Sequence, residues 1–165
     1  MSELWNNWMN QQCKTALDLW HEQDFFILEE LMPEDVFNTR GSSCIELLTP
    51  EIIITVIELR ILFDSPMTVN NWKWGGLLQH RGFRPISYYI SQGKSLSYSQ
   101  HIRANAIDSD VRGATAEECR QDIRRWKREG KLKHLTGIEK GVTWLHTDCR
   151  ICSRLDEDGL FTFSK

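Results

Sequence analysis

Two histidines and an aspartate stand at a spacing that metal chemistry can use. His101 and Asp108 lie in Ser99-Gln100-His101-Ile102-Arg103-Ala104-Asn105-Ala106-Ile107-Asp108, and His146 follows in Trp144-Leu145-His146-Thr147-Asp148. Two imidazoles and one carboxylate are a common protein contribution to a catalytic zinc, which keeps its fourth position for water. Taken singly, each histidine reads more readily as an ordinary hydrogen-bonded side chain. Their surroundings favour the metal. Residues 105–111 alternate in polarity as a strand does, so Ala106 and Asp108 share a face with Ala104, and small neighbours leave room for an ion. His146 ends an apolar run, Val142-Thr143-Trp144-Leu145, where a buried imidazole needs a partner.

The elements that must position these residues are legible in outline. Residues 1–23 read as an amphipathic helical extension, with Leu4, Trp5, Trp8, Met9, Leu17 and Trp20 at helical spacing. Asp24–Leu31 is a short apolar element before a loop holding Pro33, Asn38, Gly41, Ser42 and Ser43. Thr49 as N-cap and Pro50 at the first helical position open a helix that Asp64-Ser65-Pro66 ends, and a short strand follows over 67–70. The segment from Asn71 to Gln100 is rich in Gly, Trp, Tyr, Arg and Ser without helical period, a length that compact domains reserve for function. Thr115 and Glu118 form a capping box for a second long helix ending at Gly130. Residues 136–150 predict a hairpin turning near Lys140-Gly141, and Leu160–Phe163 a final strand. The expected fold is a single α+β domain over 1–165, with residues 24–165 as its core: a small, mostly antiparallel sheet with helices packed against it.

Composition narrows the function. The chain has 165 residues, 41% of them hydrophobic and 26% charged, with net charge −3, so no global basic field points to nucleic acid. The run Arg120–Arg128 is basic but reads as a solvated helix face. No apolar run approaches the ~20 residues of a membrane span, and the N-terminus lacks the basic start and apolar stretch of a signal peptide. Synthesis and folding in the cytoplasm are the expectation. Cys13, Cys44, Cys119, Cys149 and Cys152 read as free thiols. Cys149 and Cys152 have CxxC spacing, but a redox pair would want a thioredoxin-like pattern around it, and a zinc site another pair of ligands.

The ordered motifs also resemble a family. Ser-x-His-x-x-Gly-x-Ala-x-Asp followed by Trp-x-His-x-Asp is the signature of the D-Ala-D-Ala carboxypeptidase and Hedgehog-like zinc peptidases, which include vancomycin-resistance dipeptidases and several phage endolysins. Leu48-Thr49-Pro50-Glu51 through Arg60, and Pro66 to Asn70, resemble the helix and strand that precede the site in that family. Gly82-Phe83-Arg84-Pro85 is similar to its Gly-Tyr-Arg-Ser segment, and Asn70-Asn71-Trp72 and Arg81-Gly82-Phe83-Arg84 resemble phage and prophage members. The resemblance spans about residues 25–165. It implies a Hedgehog/DD-peptidase-like fold, a single zinc ion held by His101, Asp108 and His146, and Arg84 stabilising the tetrahedral oxyanion. The implied activity is hydrolysis of peptidoglycan stem peptides, with no nucleic-acid or membrane partner. Ser99, Trp144 and Asp148 flank the ligands and read as their supporting residues, with direct ligation by Asp148 as the alternative.

Two positions depart from the family pattern. Ala104 replaces the usual glycine, and Thr143 stands where many relatives carry the Asp or Glu that serves as general base. Glu139 and Asp148 are the replacement bases that the sequence offers. A peptidase without a signal peptide fits an endolysin passing from host cytoplasm to cell wall, or a virion-borne enzyme. Thr143 and Ala104 motivate a second reading, a weakly active or inactive zinc-stabilised structural protein such as a virion component. Trp72, Trp74, Tyr88 and Tyr89 with the basic helix suggest a third, single-stranded nucleic-acid binding, which the acidic net charge opposes.

Overall fold

In the computed structural model, residues 3–96 and 99–164 are described, without the side chains of residues 3–10 and 12. Helix α1 (Glu3–Glu22) matches the expected extension and packs on α4 (Pro50–Phe63). Trp20 is buried and Leu17 partly exposed, while the side chains of Leu4, Trp5, Trp8 and Met9 lie outside the described set. The loop expected around residues 33–43 is helical instead. It holds α3 (Glu34–Arg40), after the single turn α2 (Leu28–Leu31), and runs into a 3-10 turn over Gly41–Leu47. Pro33 as N-cap, with Glu34 and Asp35 in the first turn, supplies the start signal, too short to register as a periodic face.

Helix α4 begins as its sequence dictates. The Thr49 hydroxyl accepts from the Ile52 amide at 3.4 Å, Pro50 fills the first turn, and Asp64 ends the helix in a left-handed conformation. It is apolar nearly all round because α1 covers one side and the sheet the other. Helix α6 (Ala116–Arg128) opens with both capping-box bonds, Glu118 amide to Thr115 at 3.3 Å and Thr115 amide to Glu118 at 2.7 Å. Its inner face presents Cys119, Ile123 and Trp126 to the core.

Among the described residues five short strands form one sheet: β1 (Met67–Thr68), β2 (Ala106–Val111), β3 (Gly137–Glu139), β4 (Leu145–Asp148) and β5 (Phe161–Phe163), in the order β1-β2-β4-β3-β5. The α+β class holds, but the sheet is mixed where the sequence predicts a mostly antiparallel one. Strand β5 runs parallel to β3. Both edges of β4 are taken, by β2 and β3, so no hairpin can join β5 to β4 directly. Residues 149–160 instead pass the end of the sheet where β3 begins and lay β5 along its outer edge, with the Phe161 amide bonded to the Thr136 carbonyl at 2.7 Å.

The basic run on α6 is a solvated face only in part: Arg125 and Arg128 are exposed, while others are drawn into contacts. Arg124 pairs with Asp156 and Asp158 at 2.8 and 2.7 Å, and Arg128 with Asp158 at 2.8 Å, fastening the loop before β5. Arg120 is buried against the β3–β4 turn. The long 71–100 segment has little regular structure beyond a 3-10 turn at Trp72–Trp74 and α5 (Ile86–Ser91). Side chains satisfy its backbone. Asn70 accepts from the Arg81 amide and Asn71 from the Leu78 amide, while Asn70 and Trp72 both donate to the Met32 carbonyl. Trp72 is thus anchored inward and Tyr89 is buried, so neither is presented as a stacking platform.

Within this segment, Gly82 sits against the backbone of another element. A Cβ there would lie 2.1 Å from the Leu31 carbonyl oxygen, a backbone atom that no rotamer change can move. Gly82→Ala is expected to cost about 2–3 kcal/mol, a Tm loss of roughly 5–10 °C for a domain of this size. Thermal denaturation followed by circular dichroism checks this, and an unchanged Tm would count against the close approach.

Candidate metal centre

Sheet register assembles the centre. Asp108 on β2 lies directly across from His146 on β4, and Ala106 lies across from Asp148. Gly137 flanks Asp148 from β3, and Glu139 pairs with Phe163 on β5. Continuing the β3–β4 register by one residue brings Glu139 beside His146. One transverse row of the sheet therefore carries Asp108, His146, Glu139 and Phe163, and all four line a cleft of about 320 Å³. The neighbouring row, Ala106–Asp148–Gly137, is small on both sides of its carboxylate. A Cβ on Gly137 would lie 2.1 Å from Asp148 Oδ1, so only glycine leaves that carboxylate its place.

His101 reaches the cleft from the turn before β2. Its Nδ1 donates to the Gly82 carbonyl at 2.8 Å. The turn closes at Ala104 with φ +52°, a left-handed conformation that glycine adopts more readily.

The donor set suits a cation. Burial pushes the His101 pKa down, so the neutral ring keeps its one proton on Nδ1 and presents a lone pair at Nε2. That lone pair faces Asp108 Oδ1 at 3.3 Å, and His146 Nδ1 lies 2.7 Å from the same oxygen. The His101 Nε2 lone pair and the Asp108 oxygen are electron-rich atoms that a positive charge between them would stabilise. His101, Asp108 and His146 each offer one ligating atom, all within 4.8 Å of one another, and all three residues are buried. Ligands on a tetrahedral ion with bonds of about 2.0–2.1 Å sit ~3.3 Å apart, which small side-chain movements reach here. The group could hold a metal ion.

His146 organises the electrostatics. Burial alone would lower its pKa, but hydrogen bonds from Nδ1 to Asp108 and from Nε2 to Asp148, at 2.7 and 3.0 Å, raise it to about 9. Burial would likewise raise both carboxylates, yet the imidazoles beside Asp108, and His146 with Arg150 beside Asp148, hold them below the usual carboxylate range. Arg84 donates to Asp108 Oδ2 and to the His80 carbonyl. Arg150 grips Asp148 through Nε at 2.8 Å, through Nη2 and through its own amide, and lies over the Phe161 and Phe163 rings.

The residues expected from sequence fall into three places. His101, Asp108 and His146 come together, and Arg84, Glu139, Ser99 and Trp144 line the same cleft. Glu139 is 5% exposed, and its Oε1 has no hydrogen-bond partner. Asp148 is fully buried behind His146, its oxygens taken by His146 and Arg150, and it does not line the cleft. The Ser99 hydroxyl meets the Tyr89 hydroxyl at 2.5 Å. Thr143 lines a separate cleft with Ser109 and Cys119. Cys149 is buried against the Thr55 hydroxyl at 3.3 Å, and burial pushes its thiol up to about 12; all five thiols are free.

No protein-family model, curated protein or solved structure matches the chain. The centre's chemistry is therefore read from its own geometry. That geometry includes residues which the sequence did not single out. Arg150 carried a usable signal, two residues beyond Asp148 and four beyond His146. Phe163 and Gly137 carried none, because only sheet pairing places them.

Two measurements follow from the hydrogen bonds of His146. Asp148 holds a proton on Nε2 and so leaves Nδ1 to the metal, the usual role of a carboxylate behind a ligating imidazole. Asp148→Asn is expected to weaken metal binding by about 10–100-fold, read by competition with a chromophoric chelator. The metal-free imidazole is protonated below about pH 9, so an incoming ion displaces the Nδ1 proton. Calorimetry in buffers of different ionisation enthalpy should show about one proton released per ion near pH 7. Affinity should rise with pH toward about 9 and then level. A proton-independent binding enthalpy would contradict the assignment.

Proposed function

We propose that this protein is a zinc-dependent peptidase that hydrolyses peptide bonds of peptidoglycan stem peptides, as a D-Ala-D-Ala carboxypeptidase or an endolysin-type endopeptidase of phage or prophage origin. The observation that carries this reading is the unpartnered Glu139 carboxylate oxygen in the same cleft as the His101–Asp108–His146 group. Buried polar atoms rarely go without a partner, and those that do are often kept for a reactant.

His101 Nε2, Asp108 Oδ1 and His146 Nδ1 are the atoms that would hold the ion. Bound there, zinc supplies Lewis acidity toward a carbonyl and brings the pKa of water near neutrality. Glu139 is the proposed general base: its Oε1 accepts a proton from the attacking water and returns it to the leaving amine. Arg84, which pairs with Asp108 and lines the cleft, is the proposed guanidinium for negative charge developing on the scissile carbonyl. Asp148, clamped by Arg150, positions His146 and carries no proton transfer. Trp144 and Phe163 line the cleft as aromatic walls against which an extended peptide would pack. The peptidoglycan substrate, and action at the host wall or from a virion, rest on the resemblance of the ordered motifs. No described helix is long and apolar enough to cross a membrane. Thr143 and Ala104 motivate the alternative of a weakly active or inactive, zinc-stabilised structural protein; the unpartnered Glu139 oxygen in the cleft favours hydrolysis over it.

The test is lysis of purified cell walls. Turbidity should fall with wild type, stop with chelator and resume when zinc is restored. Glu139→Gln should lower the rate by about 10²–10⁴-fold while binding the metal at unchanged stoichiometry. Absence of metal-dependent product from walls of every chemotype would sink the peptidase reading.

A further inference from the structure

Arg120 on α6 contacts none of the metal-ligating residues, yet three backbone carbonyls of one turn converge on it. It is 5% exposed. Its Nε donates to the Glu139 carbonyl at 2.7 Å, and its Nη2 donates to the Val142 and Trp144 carbonyls at 2.6 and 3.2 Å. Nη1 pairs with Glu117 at 2.9 Å on the outer side. Beyond the end of β3 the Lys140 amide donates to the Phe163 carbonyl at 2.8 Å, and Gly141 then turns the chain with φ +78° before β4 begins. The guanidinium fork supplies the donors that the turn would otherwise lack. A lysine ammonium on a flexible stem cannot hold all three carbonyls in that fixed plane.

The placement matters because the turn carries the cleft's reactive carboxylate and one of its walls. The side chain of Glu139 enters the cleft with Trp144, while Arg120 grips the main chain of both residues from the helix. We infer that Arg120 is a positioning residue for the proposed base, fixing Glu139 through the backbone without touching reacting atoms. This rests on the peptidase reading.

The test is a double-mutant cycle on the purified metal-loaded protein, with initial rates of amine release measured against wall concentration. Arg120→Lys is expected to lower kcat by about 10–100-fold, the range a misplaced reacting group costs. KM and metal affinity should stay within about twofold, since the ligands stand elsewhere. In the Glu139→Gln background the same substitution should have little further effect, because residues acting as a unit are not additive. Amide hydrogen exchange over residues 140–144 should quicken in Arg120→Lys. Independent, multiplying losses would overturn the inference, as would full kcat in a folded Arg120→Lys. If Arg120→Lys does not fold, Arg120→Gln takes its place; failure of both to fold makes the role purely structural and also overturns it. A wild type inactive on every wall ends the peptidase reading and this inference together. An active wild type with an indifferent Arg120 ends this one alone.

Discussion

His146 is held from both sides by carboxylates, Asp108 at Nδ1 and Asp148 at Nε2, in a region nearly closed to water. Two buried anions cost several kcal/mol each in lost hydration unless charge and hydrogen bonds answer them. Arg84 answers Asp108, Arg150 answers Asp148, and the imidazole between them carries the remaining proton. Well-packed apolar side chains in the same volume would often be as stable. The polar centre is better explained by what can replace the Nδ1 proton than by any gain to the fold. A divalent cation held by His101, Asp108 and His146 supplies more charge at that point than the proton it displaces.

That arrangement constrains the sheet more tightly than packing alone would. Slipping β4 by one residue against β2 would turn His146 and Asp148 to the opposite face and leave Asp108 without its partner. Gly137 and Ala106 must stay small beside Asp148, and the crowding at Gly137 is severe. At the other end of the site, Gly82 brings its carbonyl to His101 only by passing against the Leu31 backbone. The ligands are thus oriented by main-chain groups of elements distant in sequence. Those elements are themselves tied down, the 71–82 loop by Asn70, Asn71 and Trp72 and the loop before β5 by Arg124 and Arg128.

Signals written within a few residues of one another were legible from sequence. The Thr49 cap, the Thr115–Glu118 capping box and the alternation of 105–111 each predict an element that forms with nearly the expected bounds. The His101–Asp108–His146 group, which could hold a metal ion, was legible for the same reason, through residue type and strand alternation. Long-range pairing was not. Nothing in Phe161–Phe163 says that it will run parallel to β3, because the cause is the occupancy of both β4 edges. Charge is legible only in part for a related reason. Arg125 and Arg128 are solvated as the run suggests, but Arg120 and Arg124 are taken up by partners that the fold brings, backbone carbonyls and Asp156 and Asp158.

Thr143 shows the same limit in the site itself. A base three residues before the last ligand is a rule about sequence, and it presumes a backbone that turns that position toward the metal. Here the chain bends before β4, and Thr143 lines the separate cleft with Ser109 and Cys119. An antiparallel neighbour does what the earlier residue on the same chain cannot, since cross-strand Cβ atoms lie about 4.5–5.5 Å apart. Glu139 has that position relative to His146, and the geometry holds only while the intervening turn keeps its length. One residue added or removed there would shift the register and carry the carboxylate to the other face of the sheet. The proposed role of Glu139 therefore depends on turn length and strand pairing, which ties the β3–β4 turn to the cleft as closely as the side chains it presents.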